Sequence, residues 1–188
     1  MKKLIIFTLI LSIIFISGCV QEQIGTYDYN YYGTEMKFNS NLDEAVKINV
    51  YPDNETLKNT LFGYNVVGVQ FAYYENDTEA PYYAKSLISF TSKYQKINTV
   101  RWNYDIGSKI TVTMLNSIDQ LLNTTIEEPA ILLLGSAFTD ETKIVVEGNV
   151  VKVYAKNLEL RSGKYAGYTD FDLALDKILL VLMEPIEV

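Results

Sequence analysis

The chain has 188 residues, a formal net charge of −7, one cysteine and no histidine. A single cysteine excludes an intrachain disulfide. The missing histidine excludes Ser-His-Asp and Cys-His catalysis as usually built, and zinc sites made of His or Cys are excluded too; only oxygen-ligand metals such as calcium or magnesium stay open. The acidic balance argues against nucleic acid as a partner, and no motif calls for a cofactor.

In chain order, Lys2 and Lys3 come first, followed by an apolar run from Leu4 to Ile16 that only Thr8 and Ser12 interrupt. This run suits the h-region of a signal peptide and falls short of the ~20 apolar residues of a spanning helix. It ends in Ile16-Ser17-Gly18-Cys19. That ending resembles the lipobox of prokaryotic lipoproteins, an aliphatic residue and two small ones before a cysteine. The resemblance implies that the Cys19 thiol carries lipid and that the chain is cut just before it. The expected organisation is a signal peptide over 1–18, a lipidated Cys19 with a Tyr-rich tether through residue 33, and a single α/β domain over 34–188. The domain then stands on the outer face of the cytoplasmic membrane. An uncleaved signal anchor, the alternative, also places it outside the cytoplasm.

Tyr27, Tyr29 and Tyr31 alternate, so they share one face if the segment is extended. They either offer a partner surface or pack back on the domain. Strands are expected at Glu35–Phe38 and Lys47–Tyr51, with an Asn/Ser/Asp turn after the first and Pro52-Asp53-Asn54 stopping the second. Glu55–Phe62 reads as a short helix, and Val66–Tyr74 as a strand too apolar to face water on both sides. A helix is expected over Glu79–Ile97, with Ala84, Leu87, Ile88, Thr91 and Tyr94 as its buried stripe. Strands follow at Thr99–Asn103 and Ile110–Met114, a helix at Ser117–Leu122, and a buried strand at Ala130–Leu134. Thr142–Ala155 is a hairpin about Gly148-Asn149. Phe171–Met183 is a helix apolar on nearly every side and therefore buried.

Alternating strands and helices predict an α/β three-layer sandwich with a mixed, mostly parallel sheet and the late hairpin at its edge. Residues 130–183 also carry Leu132-Leu133-Leu134-Gly135, Val146-Glu147-Gly148-Asn149 and Thr169-Asp170. These pieces resemble, in order, a unit of archaeal cell-surface and S-layer-type proteins. The resemblance implies no catalytic residue.

Asp170, Asp172 and Asp176 form the densest carboxylate group; they supply a calcium site or, with Thr169, the cap and first turn of the last helix. Glu127-Glu128 and Asp140-Glu141 would need to face each other across a cleft to act as an acid–base pair. Gly135-Ser136 follows a buried strand, where open α/β sheets often bind ligands. Arg161, Lys164, Tyr165 and Tyr168 mark a basic-aromatic loop suited to recognition. Asn54, Asn76 and Asn123 head N-glycosylation sequons. No catalytic residue and no metal ligand set is assigned. The leading expectation is a non-enzymatic binding module that contacts the membrane through lipid on Cys19 and a cell-envelope protein or glycan through its surface. The alternatives are a small-ligand receptor and a carboxylate-dependent hydrolase of envelope glycans.

Overall fold

The structure, a computed structural model, describes residues 27–74, 79–102, 109–115, 123–161 and 167–183. The first element is a hairpin. β1 (Tyr27–Tyr31) runs antiparallel to β2 (Thr34–Phe38), with Tyr27 opposite Phe38 and Tyr31 opposite Thr34. Tyr32 and Gly33 make the turn at φ 47° and 84°, both positive as a type I′ turn requires. Tyr31, Met36 and Phe38 are buried in the main core. Residues 27–33, expected in the tether, are therefore the first strand and turn of a packed hairpin. The alternating tyrosines do share a face, and Met36 and Phe38 extend it into one large enough to bury.

The expected turn after β2 contains a short helix, α1 (Leu42–Ala45), whose N-cap Asn41 accepts the Asp43 N–H at 3.1 Å. β3 (Asn49–Tyr51) and α2 (Asn54–Phe62) follow; Asp53 caps α2 by accepting the Thr56 N–H at 2.7 Å. β4 (Gly68–Tyr74) leads to α3 (Ala80–Trp102) and β5 (Lys109–Leu115). The strand expected at Thr99–Asn103 is instead helical through Trp102. Its stripe explains why: Tyr83, Leu87, Phe90, Tyr94, Ile97 and Val100 continue at helical spacing and are buried, and the Thr99 hydroxyl bonds the Gln95 carbonyl one turn back. The stripe also sits differently from expectation. Ala84 is exposed and Ile88 is 72% exposed, because the bulky Tyr83 and Phe90 orient the helix.

β6 (Ala130–Leu134) is wholly buried, β7 (Lys143–Glu147) and β8 (Val150–Tyr154) form the expected hairpin, and α4 (Asp170–Leu182) closes the fold. Gly148 opens the β7–β8 turn at φ 58°, the sign a type II′ turn needs at its first position. The expected helix at Ser117–Leu122 lies outside the described residues.

The main sheet has the order β3-β7-β8-β6-β4-β5. Every pairing is parallel except β7 with β8, so the α/β class with a mixed, mostly parallel sheet holds. The late hairpin is not an edge, because β3 pairs outside β7, with Val50 opposite Ile144. One sheet face carries Val69, Phe71, Ile131, Leu133, Val151 and Val153 into a core shared with α2, α3 and α4. Fully burying one such side chain contributes about 1.5–3 kcal/mol. The other face holds a smaller cluster of Ala72, Leu132 and Leu134. The described α-helices all pack on the first face, and only a 3-10 turn at Ser136–Phe138, with Phe138 stacked on Tyr74, lies against the second, so the second α-helical layer of the expected sandwich is not among the described residues.

Candidate functional site

The short helix α1, which the sequence reading missed, gathers three of the residues expected to meet a partner: Tyr27, Arg161 and Tyr168. The Tyr27 hydroxyl lies 3.3 Å from Asn41 Oδ1 and 3.4 Å from Asp43 Oδ2, at the start of α1. Arg161 reaches the same helix from the other side: Nη1 donates to Glu44 Oε2 at 2.5 Å and Nη2 to Asp170 Oδ1 at 2.6 Å. Tyr168, 4% exposed, packs with Ala45 and Leu173 and lies 5.6 Å from the Arg161 guanidinium. Arg161 N–H donates to the Tyr168 carbonyl and Gly167 N–H to the Arg161 carbonyl, both at 2.9 Å. These bonds close the neck of the basic-aromatic loop. Burial opposes the Arg161 charge, but Asp170 and Glu44 outweigh it and raise the pKa; burial and the Glu44 carboxylate raise that of Tyr168.

Arg161 and Tyr168 therefore act as a staple joining α1 to α4. A guanidinium holding two carboxylates has little left for an anionic polymer. Lys164 and Tyr165 lie outside the described residues, as does Cys19. Of the three N-terminal tyrosines Tyr31 is buried, Tyr27 half-buried, and only Tyr29 exposed, at 39%. The other arginine is internal as well: Arg101 is buried, 4.2 Å over the Phe62 ring.

The three aspartates of the last helix diverge. Asp170 takes Arg161 and the Thr142 hydroxyl, the latter at 2.6 Å. Asp172 forms a capping box with Thr169. Asp176 points into the core, where Lys93 Nζ donates to Oδ1 at 2.8 Å and the Ser40 hydroxyl donates to Oδ2. Lys93 also stands 4.9 Å over the Phe38 ring. This network ties β2, the turn after it, α3 and α4 together. Burial raises the Asp176 pKa, with Lys93 and Ser40 pulling the other way. Lys93 was not singled out from sequence; its signal is a lysine directly before Tyr94 in the apolar stripe of α3. No group of His, Cys, Asp or Glu suited to hold a metal occurs among the described residues.

At the carboxyl ends of β4 and β6, where a ligand would sit in an open α/β sheet, an internal carboxylate sits instead. The Ser136 N–H donates to Glu79 Oε2 at 3.0 Å and its hydroxyl to Oε1 at 2.6 Å. A Cβ on Gly135 would come within 2.0 Å of Glu79 and 2.4 Å of the Tyr83 hydroxyl, so only glycine allows this approach. The acidic pairs Glu127-Glu128 and Asp140-Glu141 flank opposite ends of β6, a strand about 17 Å long, and do not meet. Of the sequons, Asn54 opens α2 and is exposed, and Asn123 is exposed with its carbonyl accepting Gln70 Nε2 at 3.3 Å. Asn76 lies outside the described residues.

No family profile, no curated protein and no solved structure matches the chain.

Proposed function

We propose that the chain is an extracytoplasmic lipoprotein, cut before Cys19 and held on the outer face of the cytoplasmic membrane by lipid on that cysteine. Its domain binds a cell-envelope protein or glycan and does no catalysis. The observation that carries the anchor is the N-terminal order of Lys2-Lys3, the apolar run to Ile16, and Ser17-Gly18-Cys19. A diacyl-type anchor holds because each buried CH₂ contributes ~0.8 kcal/mol and two chains do not exchange as one does. Among the described residues no helix is long and apolar enough to cross a membrane. The binding role draws support from the internal use of chemically active groups: the described arginines, Asp170, Asp176 and Glu79 are all engaged within the fold.

Cys19→Ser tests the anchor. The variant is expected to lose incorporation of labelled fatty acid and to leave an uncut or differently processed chain that fractionates differently. Unchanged labelling and unchanged fractionation would sink the proposal.

A further inference from the structure

We infer that the groove between α2 and the loops entering β6 and β8 binds a neutral saccharide. This rests on reading the domain as a binding module and names the class it binds. The groove is open, about 300 Å³, and lined by Thr56, Asn59, Thr60, Ile126 and Asn149, at the lower end of the range for small-ligand sites. Its floor follows from helix geometry. Leu57, Leu61 and Phe62 turn α2 toward the core, which sends Thr56, Asn59 and Thr60, spaced i, i+3, i+4, to the opposite face. Across from them stand Asn149, at the β7–β8 turn, and Ile126, before β6.

The lining carries no charge, in a chain that is 21% charged. It is rich in groups that both donate and accept. Thr60 donates to the Thr56 carbonyl at 2.8 Å and keeps its lone pairs for acceptance. The side-chain amides of Asn59 and Asn149 have no intramolecular hydrogen bond among the described residues. A polyanion would need cations here, and a cation would need carboxylates. Neutral hydroxyls need neither.

Folding also leaves apolar side chains uncovered in the segments that follow α2 and precede β6. Tyr64, just past the end of α2, is 89% exposed, and Val67 and Ile126 are also exposed. Val67 N–H donates to the Glu127 carbonyl at 2.9 Å, which brings its strand entrance alongside Ile126. Tyr64 follows Thr60 of the lining by four residues, and an exposed ring at the end of a helix that presents amides and hydroxyls suits a sugar, whose C–H face stacks while its rim bonds.

The chain enters the domain at Tyr27, whose side chain meets α1, and α1 packs beside Tyr168 and Leu173 at the carboxyl end of β8. The groove lies at the strand ends opposite to those beside α1 and the Tyr27 hydroxyl.

The test uses the full lipidated chain in detergent, titrated calorimetrically with maltohexaose, cellohexaose and N-acetylchitohexaose. At least one is expected to bind. Tyr64→Ala and Asn59→Ala should each weaken that binding by about tenfold, and Tyr64→Phe should retain it; circular dichroism confirms that the variants fold. No binding of any of the three at millimolar concentration overturns the proposal, and so does binding indifferent to both alanine variants. Absent sugar binding, crosslinks from a photoreactive residue at position 64 to an envelope protein would reassign the surface to a protein partner. The anchor is judged separately: a Cys19→Ser chain that binds sugar but keeps its lipid label refutes the anchor and leaves the groove standing.

Discussion

Asp176 is 2% exposed and meets one ammonium and one hydroxyl. Burial raises its pKa, and Lys93 and Ser40 only partly offset that. A carboxylate with a raised folded pKa holds its proton more tightly when folded than when unfolded. Its stabilising contribution is complete below the unfolded pKa and is lost as pH rises through the folded one. The stability gap between wild type and Asp176→Asn should therefore move in favour of wild type as pH falls from neutral into the carboxylate range, as read by urea unfolding at several pH values. The opposite slope would show that Lys93 outweighs burial. Removing one partner is more severe than removing both. Asp176→Ala leaves a buried ammonium and should cost about 3–5 kcal/mol, whereas Lys93→Met with Asp176→Leu should regain most of it.

At the scale of elements, α4 depends on its start. Its core-facing residues are fixed by burial, and Thr169 with Asp172 supplies the capping box. Thr169→Ala should lower stability by about 1 kcal/mol, measured as a shift in the urea midpoint at unchanged slope; an unmoved midpoint would mean the cap is redundant. α4, β6 and the β7–β8 hairpin were legible in the sequence because each has one dominant signal: a helix apolar on all sides, an apolar run, a Gly-Asn turn. α1 was hidden because four residues show no period. β1 was hidden, despite its alternation, because Asp28 and Asn30 disfavour strands and its turn is Tyr32-Gly33, where a tyrosine takes a φ usually left to Asn or Gly. The end of α3 was misread because Thr99 and Val100 favour strands in isolation, and the packing of the whole stripe overrides them. For the site, residue types were legible and their partners were not. Arg161 and Tyr168 look like recognition residues until α1 supplies Glu44 and a packing surface.

At the scale of the molecule, among the described residues, charge is spent inward at the α1 end of the sheet and is absent from the groove lining at the other. Arg161 with Glu44 and Asp170 locks one end, and Lys93 with Asp176 fastens the hairpin to the helices. The hairpin register has a mechanical consequence. Tyr27 and Phe38, the first residue of β1 and the last of β2, lie directly opposite each other. A pull on the chain before Tyr27, against the domain, therefore loads the pairs one after another, as a zipper, and does not shear all of them at once. Peeling residues 27–38 would release up to ~40 Å of chain before load reached the six-stranded sheet. Single-molecule stretching from the N-terminus should show a first, low-force step of about that length, which Phe38→Ala should weaken; a single high-force rupture would contradict it. On the anchoring proposed above, the hairpin is a strain absorber placed between the N-terminal segment and the six-stranded sheet.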